Sequence, residues 1–143
     1  MKIGFIVGRD HEIYYNTELK KQTPKKYLVD WSAKSRSNIQ FRTKAFLEQF
    51  WKGHVVFEEF PVAGTRLRFD FYNANKQVAV EVHGAQHTKF VPFFHKRRSG
   101  FVSQLRRDQQ KVDFCELNKI RLVEIFKEEE INKKTFEDSG VFL

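Results

Sequence analysis

The chain has 143 residues, 41% of them hydrophobic, 31% charged and 15% aromatic, with 16 Phe, which excludes a wholly disordered polypeptide. At roughly 150 residues per domain one domain is expected; no apolar run nears the ~18 residues of a membrane span, and the single Cys115 excludes a disulfide scaffold or a multi-cysteine zinc site. The net charge is +8 and it is concentrated: residues 20–52 carry nine Lys and Arg against Asp30 and Glu48, and residues 86–111 carry seven against Asp108, a distribution suited to a polyanion such as nucleic acid.

Residues 2–7 read as a short strand, too brief for a secretory leader before Arg9-Asp-His-Glu12, so a cytoplasmic protein without a membrane partner is expected. Residues 16–38 are polar and basic around Pro24 and read as an arm, pinned to the body by Tyr27, Leu28, Val29 and Trp31. A helix is predicted from Ser37 or Asn38 to about Lys52, before Gly53. Phe41, Ala45 and Glu48 should share one face of it, with Phe46, Leu47 and Phe50 beside them, so that Glu48 points near the apolar side.

Three runs of strand character follow, His54–Phe60, Arg66–Tyr72 and Gln77–His83, and their short links favour an antiparallel meander. Alternation puts Leu67, Phe69 and Phe71 on one face of the second strand, opposite Arg66, Arg68, Asp70 and Tyr72. In the third it separates Val78, Val80 and Val82 from Ala79, Glu81 and His83. An aromatic and basic loop spans 84–99. A helix from about Gly100 to Asn118 carries Phe101, Leu105, Val112 and Cys115 on one stripe, with Asp108 on the same stripe and Lys111 near it. Ile120–Phe126 reads as a last strand, and 127–143 as a charged tail. The order helix, three strands, helix, strand defines an α/β domain with a mixed sheet flanked by helices.

Asp70 and Glu81 lie on the polar faces of neighbouring strands, where their carboxylates converge. Converging carboxylates repel unless a cation sits between them, and the fitting occupant is a hard divalent ion, Mg²⁺ or Mn²⁺. Glu48 and the Val82 carbonyl are further candidate ligands, and His83, two positions past Glu81, is placed to orient or deprotonate a water. Taken singly, each of these residues has a structural reading: Glu81 as a solvent-facing strand residue, Asp70 as a partner of Arg68. A zinc set of His83, His87 and His95 lacks cysteine and is poorly supported. Cys115 falls on the apolar stripe as core.

The stretch Arg68-Phe-Asp-Phe-Tyr72, followed by Val78-Ala-Val-Glu-Val-His-Gly-Ala-Gln-His87, resembles the PD-(D/E)XK nuclease superfamily. With Gln104-Leu-Arg-Arg-Asp108-Gln-Gln-Lys111 and Asn118-Lys-Ile-Arg-Leu-Val-Glu-Ile125 it looks like the branch of very-short-patch repair endonucleases and of phage- and intron-associated homing endonucleases. The resemblance covers roughly residues 40–126, and 1–36 match nothing in that family. It implies a restriction-endonuclease-like core over 37–126, flanked by an N-terminal strand and basic arm (1–36) and the tail (127–143), in one nuclease domain. It implies Asp70 and Glu81 as ligands of Mg²⁺ or Mn²⁺, with Glu48 assisting. His83 stands where the family has Lys, so His83 takes that role or Lys111 reaches back from the helix; His87 is the further catalytic candidate, and Asp108 an orienting one.

The expected activity is metal-dependent hydrolysis of phosphodiester bonds in double-stranded DNA, by a site-specific homing-type endonuclease of a phage or mobile element acting as a homo-oligomer, dimer or higher. The alternatives are a structure-selective nuclease, either a mismatch nickase or a junction resolvase, and a non-cleaving DNA-binding protein on a decayed nuclease fold. Arg66, Arg68, Lys89, Lys96, Arg97, Arg98, Lys34, Arg36, Arg42 and Lys44 are the candidate DNA contacts.

Overall fold

Ser37 sets the start of the first helix: its side chain accepts the Gln40 N–H at 3.2 Å, occupying one of the free donors of the first turn, and α1 runs over Asn38–Trp51. The computed structural model describes residues 6–7, 13–14, 24–61, 67–83 and 98–143, with side chains from residue 26 onward except 98–105. Two short strands, β1 (Ile6–Val7) and β2 (Ile13–Tyr14), pair antiparallel as a separate sheet.

The main sheet has four strands in the order β3 (Val56–Pro61), β4 (Arg68–Asn73), β5 (Val78–Val82) and β6 (Arg121–Ile125). The first three form the antiparallel meander, and β6 lies parallel to β5. Parallel neighbours need a crossover, and α2 (Arg98–Leu117) lies on it. These strands fall within two residues of their expected bounds. Among the described residues no helix is long and apolar enough to cross a membrane.

Helices cover both faces of the sheet. On one, Phe114 and Cys115 of α2 pack with Phe57, Phe60, Phe69, Tyr72, Ala79 and Ile120. On the other, Leu47 and Trp51 of α1 pack with Val56, Phe71, Val78, Val80, Val123 and Ile125, together with Phe136 and Val141. Residues 27–29 of the arm run along the outer edge of β3. Leu28 bridges to Phe57, the Val29 N–H donates to the Val56 carbonyl at 2.9 Å, and Tyr27 meets Phe60 edge-on, with ring centres 6.1 Å apart. This covers an edge that would otherwise expose unpaired backbone groups.

Three expectations need correction. The buried face of α1 is Gln40, Thr43, Lys44, Leu47 and Trp51, while Phe41 and Ala45 are exposed. Polar partners on β3 and the arm decide this. Lys44, 1% exposed, places Nζ at 2.7 Å from Glu58 Oε1, 2.9 Å from the Ala33 carbonyl and 3.1 Å from that of Asp30. Glu58 Oε2 also accepts from Ser35 Oγ at 2.7 Å and Gln40 Nε2 at 2.9 Å. Lys44 is therefore a buried strut and not a phosphate contact.

The segment 127–143 is not a loose charged tail. A 3₁₀ turn (Glu128–Glu130) leads into α3 (Lys133–Asp138), capped by Asn132, whose Oδ1 accepts the Thr135 N–H at 2.9 Å. Gly140, at φ 84°, ends it: its N–H donates to the Glu137 carbonyl at 2.9 Å, and that of Val141 to the Phe136 carbonyl at 2.8 Å. The charges lie on the outside, and Phe136 packs edge-on to Trp51 with ring centres 6.1 Å apart.

The strict alternation expected of β4 also slips. Leu67, Phe69 and Tyr72 join the cluster under α2, and Phe71 the opposite one. On β3, Phe57 and Phe60 show the same three-residue step around Glu59, whose φ is 54°. Glu59 and Asp70 stand opposite each other between the registered pairs Glu58–Phe71 and Phe60–Phe69, so the slip falls at Asp70.

Removing one partner of a buried ion pair leaves the other charge without compensation. Lys44→Ala is expected to lower unfolding stability by about 3–5 kcal/mol in urea melts. Gly140→Ala would set a Cβ 2.6 Å from Arg121 Nη1 in a left-handed backbone, and is expected to cost about 1–2 kcal/mol in the same measurement.

Candidate active site

The β4–β5 ladder registers as far as Phe71 opposite Val80. Just beyond it the Asp70 side chain takes over from the backbone: Oδ2 accepts the Val82 N–H at 2.7 Å. This bond ties the carboxylate of one strand to the end of the next, beside Glu81.

Glu81 is 4% exposed and stands opposite Glu124 in the parallel β5–β6 register. Lys111 comes from α2. Phe114 and Cys115, one turn further along, pack on the sheet, and the i, i+3, i+4 spacing turns Lys111 to the same side. Its Nζ lies 3.0 Å from Glu81 Oε1. Burial pushes the Glu81 carboxyl well above its ordinary pKa, the adjacent Asp70 charge adds to this, and Lys111 opposes both. Cys115, below this group, has its thiol pushed up to about 12, first by burial and then by Glu81, as befits a core residue rather than a nucleophile.

His83 follows β5 and is 3% exposed. Its backbone N–H donates to the Ile125 carbonyl at 2.7 Å, its Nε2 lies 3.2 Å from Glu124 Oε1, and its ring stacks on Phe126. Asp70, Glu81, His83, Lys111 and Glu124 thus lie toward the carboxyl ends of the parallel pair, where open α/β sheets place their ligands. Glu124 and Phe126 were not singled out from the sequence. The signal for Glu124 is faint: it alternates with Val123 and Ile125, and only the pairing of β6 with β5 puts it beside His83.

The other candidates are less gathered. Glu48 is half-buried on α1, across the sheet from α2, and among the described residues no group of three or more His, Cys, Asp and Glu is arranged to hold a metal ion. Asp108 is half-buried one turn before Lys111. His87, Arg66, Lys89, Lys96 and Arg97 lie outside the described residues, as does the side chain of Arg98. Lys34 and Arg68 are exposed, Arg42 is exposed and ion-paired with Glu128, and Arg36 is 80% exposed at 3.9 Å from Glu59.

Because Glu81 holds its proton to higher pH when folded than when unfolded, the unfolded chain loses that proton first as pH rises. Stability therefore falls from about pH 4.3, the ordinary carboxyl value, up through the raised folded pKa. Glu81→Gln should flatten this decline in melts taken between pH 4 and 8; equal slopes for the two chains would exclude Glu81 as the group responsible.

No family model matches the chain, and no solved structure does. It is similar to three viral proteins. It is 36% identical over 83 residues to uncharacterized protein 307L of Invertebrate iridescent virus 6, covering 54% of this chain and 42% of that protein. It is 31% identical over 94 residues to uncharacterized protein 033L of Invertebrate iridescent virus 3, covering 64% and 48%. It is 35% identical over 66 residues to uncharacterized protein 094L of Frog virus 3, covering 46% and 43%. The chain spans less than half the length of these curated relatives.

Proposed function

We propose that this chain is a metal-dependent DNA endonuclease, built on a restriction-endonuclease-like core and serving a virus or mobile element. The observation that carries the reading is the buried Glu81 carboxyl held between Asp70 and Lys111. Two hard oxygen donors share a desolvated spot with a single ammonium, so one negative charge is left over when both are ionised. That excess, and the upward push on Glu81, suit a small divalent cation, which needs only one or two carboxylates beside the phosphate and waters.

In this reading Asp70 and Glu81 hold Mg²⁺ or Mn²⁺, with the Val82 carbonyl as a further oxygen ligand. When bound, such an ion activates water at neutral pH and neutralises charge developing on the phosphate. Val82 keeps Asp70 aimed by its N–H. Lys111 holds Glu81 in place and offers its remaining N–H donors to a phosphate oxygen. His83, oriented by Glu124 and stacked on Phe126, is placed to orient or deprotonate the attacking water. The net charge of +8 draws DNA to the chain, with Lys34, Arg36 and Arg68 among the exposed basic groups.

The test is cleavage of supercoiled plasmid and of viral genomic DNA. Cutting is expected with Mg²⁺ or Mn²⁺, not with EDTA, and not with Glu81→Ala. Lys111→Met should cut about 10²–10³-fold more slowly, the usual loss for one preorganised charge-stabilising donor. Salt-sensitive DNA binding without cleavage of any substrate would replace this reading with a non-cleaving DNA-binding protein.

A further inference from the structure

The two edges of the main sheet are treated differently. Residues 27–29 cover β3, but no strand among the described residues lies on the outer side of β6. The parallel register fixes which backbone groups of β6 face outward. The Arg121 N–H donates to the Gln77 carbonyl at 3.0 Å, and the Ile125 carbonyl accepts the His83 N–H at 2.7 Å, so Arg121, Val123 and Ile125 bond toward β5. The N–H and C=O groups of Leu122 and Glu124 therefore point away from the sheet, and no partner for them occurs among the described residues. The next outward N–H, that of Phe126, is occupied by Glu130 Oε1 at 2.7 Å. β6 also lacks the common guards of an edge: it holds no Pro or Lys, and its pairing runs without a bulge.

A hairpin elsewhere in the chain has the complementary need. β1 and β2 are joined by the pairs Ile6–Tyr14 and Val7–Ile13 alone, and stay outside the main sheet. A two-stranded ribbon by itself is marginal at best in water. Ile3-Gly-Phe-Ile-Val7 is apolar throughout rather than alternating, the pattern of a strand covered on both faces. Basic residues flank it, Lys2 and Arg9, whereas the carboxyl end of β6 and the turn after it carry Glu124 and the exposed Glu129. The edge offers backbone partners and negative charge; the hairpin brings an apolar strand and positive charge.

We propose that the N-terminal hairpin of a second copy of this chain adds to the free edge of β6, and that the exchange is reciprocal, giving a closed two-fold dimer. The hairpin of the same copy is poorly placed for this edge. Its chain joins the sheet at β3, three strand spacings or about 14 Å from β6, with a helix-covered sheet between them. The dimer does not depend on the nuclease reading, and its test needs neither DNA nor cutting.

Sedimentation equilibrium of the full chain over a concentration series is expected to give twice the mass of one chain. Leu122→Pro takes away an N–H that faces outward, so the bonds to β5 stay while the edge is blocked. With its thermal melt checked against the parent chain, it should sediment at half the parent mass. Ile6→Pro, in the hairpin and outside the main sheet, should do the same, and it tests the proposal even where Leu122→Pro fails to fold. A full chain that stays monomeric throughout the series overturns the proposal, and so does a dimer that survives Leu122→Pro. A dimer lost in Leu122→Pro but kept in Ile6→Pro would mean that two β6 edges pair with each other, which removes the hairpin as the occupant.

Discussion

Glu81 and Lys111 bring a carboxyl and an ammonium group 3.0 Å apart where almost no solvent reaches the carboxyl, and the site depends on the helix and strands that keep them there. A buried carboxylate without a partner would neutralise itself or destabilise the fold. Lys111 reaches it only because α2 lies across the sheet face between two parallel strands, and α2 stays there because Phe114 and Cys115 bury themselves among Phe69, Tyr72 and Ala79. The aromatic packing and the ion pair thus hold the same helix in place. Asp70 adds a second negative charge at the same spot, fixed through the Val82 N–H at the point where the β4 alternation slips.

Across the sheet a second buried charge pair does different work. Lys44, Glu58, Gln40 and Ser35 join α1, β3 and the arm through hydrogen bonds of 2.7–2.9 Å among side chains. Every polar atom named there has a partner, and the group lies against β3 rather than at the carboxyl ends of the parallel strands. It fixes how the arm and α1 meet the sheet, and its lysine is no longer part of any surface that DNA could reach. Counting basic residues along the chain includes Lys44; placing them in space removes it.

How much was legible in the sequence varied with the range of the interaction. The four main strands, α1 and α2 were readable from periodicity, capping by Ser37 and the glycine beyond Lys52, since these depend on near neighbours. α3 was also written there, with Asn132 as its cap and Gly140 as its stop, but four glutamates, three lysines and an aspartate in 127–143 drew attention to charge and away from Phe136. The rotation of α1 was not legible, because apolar residues occur around most of that helix and the deciding partners, Glu58 and the carbonyls of Asp30 and Ala33, come from elsewhere.

Local patterning was enough to put Asp70 and Glu81 on adjacent strands, joined by a four-residue turn, with His83 on the same side of the sheet as Glu81. A hairpin is local, and a period of two leaves little choice of face. That Lys111 meets Glu81, that Glu124 meets His83 and that Phe126 stacks on it came from the assembled fold. Those contacts cross from helix to strand and from β6 to β5. They exist only once the crossover has laid the last strand beside the third of the meander, which no spacing along the chain specifies.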